Sequence, residues 1–303
     1  MSAVDAVLHE DCDRFVLFPI RYPRLWERYK IAQRSFWTTE EIDLSDDLAD
    51  WTQVLTDDER HLLSAILAFF ASADGIVGEN LVQQFYSDVA APEARCFYGF
   101  QLMMENVHAE TYARLIQELV FDEDELHRLF DAVNTFPAVG GKALWCLKWF
   151  DRAAYPFPVR LIAFAVVEGV FFSSSFAAIF WIRSRGLLPG LCHSNEMIMR
   201  DEGQHVEFAC ELYSMLGDKV APAVAHAMVR EAVVLEQEFF RSALPSPLRG
   251  LNAPLMQQYI DINPFPFMSG SVIPGRANFF ERPVSDYQGA PGPAAFVSRA
   301  AGF

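Results

Sequence analysis

Along most of this chain apolar residues recur at three- and four-residue intervals, and nothing alternates with period two over a useful length. The pattern predicts helices with only minor strands, an all-α fold. Residues 14–20 read as an extended entry, followed by a helical run ending near Phe36-Trp37. Ser45 before Asp46-Asp47 reads as a helix N-cap, and Thr56-x-x-Glu59 as a capping box opening a long helix past Asp74 towards Tyr86. A second long helix is expected over about 98–119, shorter ones at 123–133 and 140–150, then long ones at about 194–216 and 219–243. Pro156 and Pro158 open an apolar helix that Gly186 ends. Beyond Asn263 there are six Pro and five Gly in 40 residues, so the division expected is a helical domain over 1–263 and a flexible tail over 264–303.

The apolar helix imitates a membrane span: Leu161 to Ile182 is 22 residues with one charge, Glu168. An ionised Glu in hydrocarbon is expensive, whereas a helix apolar on all sides suits the centre of a bundle, so no membrane partner is expected. With 52% hydrophobic residues and 27 Phe, the 303-residue chain has material for a large core. The net charge of −16 repels a phosphate backbone, which argues against nucleic acid. Five scattered cysteines without Cys-x-x-Cys read as reduced thiols of a cytoplasmic protein. Met1 to Asp13 is acidic with no long apolar run, so no secretory signal is expected.

Candidate chemistry gathers at Met104–Tyr112. On a helix turning ~100° per residue, Glu105, His108 and Tyr112 fall within roughly 60° of arc. The same Glu-x-x-His spacing returns at Glu202 and His205, and two lone carboxylates, Asp74 and Glu168, sit in the apolar stretches before each copy. One Glu-x-x-His among seven histidines carries little, and the near-copies Asp58/His61 and Asp124/His127 lie in dense charge and read as solvated helix starts. Two copies with upstream carboxylates match a dinuclear metal site in a four-helix bundle. Four buried carboxylates need compensation, and two divalent cations supply four positive charges. Oxygen-rich ligation with one imidazole per metal favours iron or manganese. Phe172 and Phe176, at +4 and +8 from Glu168, and Ile198, at −4 from Glu202, are candidates for a dry apolar wall around the group bound there.

These motifs, with Arg14–Ile20, Ser35–Thr38, Leu67–Leu81, Glu93–Tyr112, Phe164–Trp181, Arg185–Leu191 and Ser194–Cys210, cover nearly everything from 14 to about 260. Through them the chain resembles the small subunit of class I ribonucleotide reductase, of the eukaryotic type and its poxvirus relatives. The resemblance implies a ferritin-like bundle, a homodimer, a cytoplasmic location (the host's, for a viral member) and two iron ions, with manganese as the other option. It implies that the iron pair uses dioxygen to make a tyrosyl radical passed to a large catalytic subunit, which reduces ribonucleoside diphosphates. Position by position, Asp74 and His108 would hold one metal, Glu168 and His205 the other, and Glu105 and Glu202 would bridge. Tyr112 is the radical position, Trp37 and Asp201 match the transfer route, and Tyr287 in the tail hands the radical to the large subunit.

Two departures accompany the resemblance. After Leu255–Ile260 the family continues with roughly twenty more residues of helix and loop, where this chain jumps from Asp261-Ile262-Asn263-Pro264 to Phe267-Met268. The tail keeps a terminal Phe303 for docking but has no acid near it. The alternatives are a ferritin-type iron store, a scaffold subunit without catalysis, or another two-metal oxidase. Trp37, Tyr112, Asp201 and Tyr287 have no purpose in a store.

Overall fold

The computed structural model describes residues 7–8, 16–80 and 84–262. Its helices are α1 (Pro23–Arg34), α2 (Asp47–Gln53), α3 (Asp57–Asn80), α4 (Tyr86–Asp88), α5 (Pro92–Leu119), α6 (Glu123–Phe130), α7 (Ala132–Thr135), α8 (Pro137–Phe150), α9 (Phe157–Val166), α10 (Ser173–Arg183), α11 (Pro189–Met215), α12 (Pro222–Ala243) and α13 (Ala253–Ile262). A 3-10 turn, Thr39–Glu41, follows α1, and a π turn, Val167–Phe171, joins α9 to α10. Among the described residues there is no strand, only an isolated bridge between Leu248 and Leu251. Tyr287 and the whole expected tail lie outside the described residues.

Seven helices carry proline in their first two positions: α1, α5, α8, α9, α11, α12 and α13. Proline's missing N–H is one that a helix start leaves unbonded in any case, and its fixed φ suits the first turn. Pro92, Pro137 and Pro189 therefore start their helices three to six residues before the expected 98, 140 and 194, and Pro222 starts its helix after 219. The single helix expected over 123–133 is broken at Asp131 into α6 and α7. The Thr56 capping box forms, with Thr56 N–H donating to Glu59 Oε2 at 2.8 Å and Glu59 N–H to Thr56 Oγ1 at 3.3 Å. Ser45 is not an N-cap: Asp46 occupies that position, and the Ser45 amide turns back to Asp43 Oδ1 at 3.0 Å.

The core is a ferritin-like bundle of α3, α5, the α9–π–α10 rod and α11, with α8 and α12 packed on the rod and α1 on α5 and α11. Both α3 and the Phe157–Arg183 rod are long and apolar enough to cross a membrane. Each is mostly covered by other helices, so α3 is a second membrane-like stretch that hydropathy alone does not distinguish from a buried rod.

One polar contact fixes the start of α11, the helix that carries Asp201, Glu202 and His205. Buried Asp47 on α2 accepts the amides of Gly190 at 2.8 Å and Leu191 at 2.7 Å. Gly190 lets the backbones meet there, because a Cβ would lie 2.3 Å from the Asp43 carbonyl oxygen. Replacing Asp47 with Ala strands two buried amides and is expected to lower unfolding stability by about 1–3 kcal/mol, measured as a lowered midpoint in urea without a change of slope.

Candidate metal centre

The four rods each bring a carboxylate to one buried place. Asp74 comes from α3, Glu105 and His108 from α5, Glu168 from the π turn, and Glu202 and His205 from α11, and all six are at most 3% exposed. Spacing of three on α5 and α11 puts each Glu and His on one face. The π turn inserts an extra residue into the α9–α10 rod and sets the aim of Glu168.

Two donor groups result, Asp74/Glu105/His108 and Glu105/Glu168/Glu202/His205, each with ligand atoms within 4.8 Å of one another. Glu105 belongs to both. Its Oε2 lies 3.6 Å from His108 Nδ1 and its Oε1 3.2 Å from His205 Nδ1. Glu202 repeats the arrangement, with Oε1 3.0 Å from His108 Nδ1 and Oε2 3.2 Å from His205 Nδ1. Each of these glutamates thus turns one oxygen to each imidazole, while Asp74 and Glu168 flank the two ends.

The residues fit a metal pair by what they leave unsatisfied. Both oxygens of Asp74, Glu105 Oε2, Glu168 Oε2, Glu202 Oε1 and His108 Nδ1 have no hydrogen-bond partner, the 3.0 Å approach of His108 to Glu202 lacking hydrogen-bond geometry. So many orphaned buried polar atoms on one spot are costly, and two divalent cations replacing any protons there satisfy them together. In the metal-free site, burial and the crowded charges shift these groups strongly. Burial, then the charge on Glu105, pushes Asp74 well up, and burial, then Glu202 and Glu105, does the same to Glu168. Burial would also raise Glu105, but its contacts with His108 and His205 outweigh that and bring it down to about 2. Burial opposes the charge on His205, yet the surrounding Glu202 and Glu105 raise it to about 9. His108 goes up well above its ordinary value, its contacts with Asp201, Glu105 and Glu202 overcoming burial.

His108 also reaches outward. Its Nε2 lies 3.3 Å from Asp201 Oδ2, the oxygen that accepts the Trp37 indole N–H at 2.7 Å, and the Trp37 and His108 rings stack at 5.9 Å. Asp201 is an acceptor here, so Nε2 carries the proton and Nδ1 is left facing the carboxylates. Arg200 donates twice to the other oxygen of Asp201, at 3.1 Å each, and once to the Ser35 carbonyl at 2.6 Å.

Tyr112 lies beside this cluster, one turn past His108 and 1% exposed. Its hydroxyl has no hydrogen-bond partner, and burial, then the charges of Asp74, Glu202 and Glu105, pushes it well up. Its ring stacks on Phe70 at 4.7 Å, and Phe70 in turn meets Phe176 at 5.0 Å and Phe172 edge-on at 5.3 Å. Phe172 and Phe176 thus reach the tyrosine side of the cluster through Phe70, while Ile198 is buried one turn before Glu202. Tyr287 lies outside the described residues.

Two residues that sequence reasoning passes over join the site. Gln101 Nε2 donates to Glu168 Oε1 at 3.2 Å and approaches Glu105 Oε1 at 3.5 Å. Phe70 provides the stacking partner of Tyr112. Each stands four residues before a candidate ligand on the same helix, Gln101 before Glu105 and Phe70 before Asp74, so the facing rule that selects the candidates also selects them.

Residues 14–264 match the family model for the ribonucleotide reductase small chain. The sequence is 49% identical to ribonucleoside-diphosphate reductase small chain 1 of Saccharomyces cerevisiae, over 96% of this protein and 77% of that one. It is 47% identical to the ribonucleoside-diphosphate reductase small subunit of Dictyostelium discoideum, over 94% of this protein and 89% of that one. Among solved structures, the Rnr4 homodimer of Saccharomyces cerevisiae superposes with a TM-score of 0.79 at 34% identity, covering 93% of this protein and 92% of that one.

Proposed function

This chain belongs to the ribonucleotide reductase small-chain family, and we propose that its six clustered side chains hold two iron ions that oxidise Tyr112. In this reading Asp74 and His108 would hold one ion and Glu168 and His205 the other, with Glu105 and Glu202 shared between them. Iron bound there supplies a one-electron oxidant by reducing dioxygen. The observation that carries the reading is the pair of glutamates, each with one oxygen turned to each imidazole, beside a buried phenol without a hydrogen-bond partner.

The rest of the work belongs to the chain's own groups. Tyr112 keeps its proton until it is oxidised, because burial disfavours phenolate. Phe70, Phe172 and Phe176 keep water from the resulting radical. Trp37, Asp201 and His108 form the hydrogen-bonded route by which the radical equivalent leaves, and Tyr287 in the tail passes it to the large subunit of the same reductase. That subunit reduces the ribonucleoside diphosphate. The protein acts as a homodimer in the cytoplasm, with the tail and its terminal Phe303 docking to the large subunit. Neither nucleic acid nor membrane takes part.

The test is to load metal-free protein with Fe(II), admit oxygen, count metal per chain and record the EPR spectrum. Two iron ions per chain and a tyrosyl signal support the reading; one ion or none, or a pair without any organic radical, overturns it. Metal analysis of the protein as isolated decides between iron and manganese. A second measurement separates formation of the radical from its transfer. Asp201→Asn disturbs the acceptor shared by Trp37 and His108, so the signal should form while turnover with the large subunit falls by roughly 10–100-fold. Unchanged turnover would remove Asp201 from the route.

A further inference from the structure

One buried charge pair has no part in the metal centre. Lys142 Nζ on α8 lies 2.5 Å from Glu236 Oε2 on α12, with side chains 1% and 0% exposed. The Ser174 hydroxyl, at the start of α10, donates to the other oxygen of Glu236. The lysine head sits over the rings of Phe69 at 3.6 Å, Phe239 at 3.9 Å and Phe171 at 5.3 Å. Burial pushes Lys142 down and Glu236 up, each restrained by the other's charge. A buried ion pair is often no more stable than a hydrophobic pair of the same volume, so a core need not contain one for stability.

Both ends of this cluster converge on one place. Phe171 is the last residue of the π turn, and Ser174 comes three residues after it. Ser173 binds the turn from inside, its hydroxyl donating to the Val170 carbonyl at 3.1 Å. A π turn is a one-residue insertion in a helix, and moving it past Glu168 would rotate that side chain by roughly 100°. The residues before the turn, Phe164 to Val166, are apolar and offer no polar anchor of their own. Apart from Gln101 on Glu168 itself, the polar contacts at the turn are on its carboxyl side.

We propose that Lys142, Glu236 and Ser174 form a latch that fixes the π turn in its helix and so fixes the aim of Glu168, making Lys142 and Glu236 positioning residues for the metal position of Glu168 and His205. The latch joins three elements, α8, α10 and α12, none of which supplies a ligand, so it acts on the centre only through the turn. This rests on the reading that Glu168 and His205 hold a metal.

The test uses the full chain with Lys142→Met and Glu236→Leu together, which removes both charges and leaves an apolar pair, and Glu236→Gln alone as the shape-conserving variant. Amide hydrogen exchange is followed in the metal-free protein, and Mn(II) binding is counted by the EPR signal of free Mn(II). The expected result is exchange at 167–174 faster by about tenfold or more, with α3 and α5 unchanged. The second Mn(II) equivalent should weaken by about 10–100-fold while the first keeps its affinity, as in Glu168→Ala. Wild-type exchange at 167–174, or a loosening spread over all helices with both Mn(II) equivalents weakened alike, overturns the latch and leaves an ordinary core pair. If the parent binds fewer than two Mn(II), or Glu168→Ala binds as the parent does, the metal assignment fails instead. Exchange at 167–174 then still decides the latch.

Discussion

Tyr112→Phe protein is expected to bind two metal ions, melt at the parent's temperature and give no tyrosyl EPR signal after exposure to Fe(II) and oxygen. Stability should hold because the lost hydroxyl is buried without a hydrogen-bond partner. Removing an unpaired buried donor leaves no orphan behind, so the change should stay within about 0.5 kcal/mol. The ring remains to stack on Phe70, so the phenyl wall keeps its packing. Metal uptake should hold because the six proposed ligands are untouched. Only the readily oxidised phenol is gone, and turnover with the large subunit should fall by about a thousandfold or more. Trp37, stacked on His108, is the next oxidisable ring along the proposed route, and a short-lived signal there would fit. A persistent tyrosyl signal at the parent's yield would place the radical on another tyrosine. Loss of metal together with the signal would mean that Tyr112 serves the site's architecture.

How much of this can be read from sequence depends on how local each cause is. Glu105/His108 and Glu202/His205 are legible because a three-residue spacing fixes a shared helical face without reference to any other part of the protein. Asp74 and Glu168 stand out because a lone carboxylate in an apolar run needs a reason. Helix starts are misplaced where capping residues are sought and proline ignored, although Pro92, Pro137, Pro189 and Pro222 each carry the signal. The π turn leaves no local mark: Val167–Phe171 reads like any apolar helix, and its hydrogen-bond pattern answers to packing around it. The same holds for Asp47, whose partners Gly190 and Leu191 are more than 140 residues away, and for Glu236 opposite Lys142. Gln101 and Phe70 fall between these cases. Their spacing is visible, but a glutamine and a phenylalanine in a helix raise no alarm until the candidate ligands beside them are recognised.

Loading the centre with two divalent ions near neutral pH is expected to release protons, up to about four per pair, and to become steeply tighter as pH rises. The count follows from which groups hold protons in the metal-free protein. Burial keeps Asp74 and Glu168 protonated far above the usual carboxylate range, and His108 and His205 are both raised, His205 to about 9. Two carboxyl protons and two imidazolium protons must leave before those atoms can ligate, whereas Glu105, at about 2, is already ionised. The sign for stability follows from the same shifts. All four groups have folded values above their unfolded ones, so their contribution to the metal-free protein is complete below the unfolded values and is lost as pH rises through the folded ones. For His205 that window runs from an ordinary value of about 6.5 up to about 9. Metal-loaded protein holds none of these protons and does not share the loss. The difference in melting temperature between loaded and metal-free protein should therefore widen from about pH 6 to about pH 8.5. Affinity for the pair should rise by up to about 10⁴ per pH unit if all four protons are displaced together. Calorimetric titration with Mn(II) in buffers of different ionisation enthalpy counts the protons directly. A count near zero, or an affinity flat across this range, would mean that the carboxylates stand ionised in the empty site. The protons could not then be what balances its charge, and some other cation would have to hold the four carboxylates together before the metal arrives.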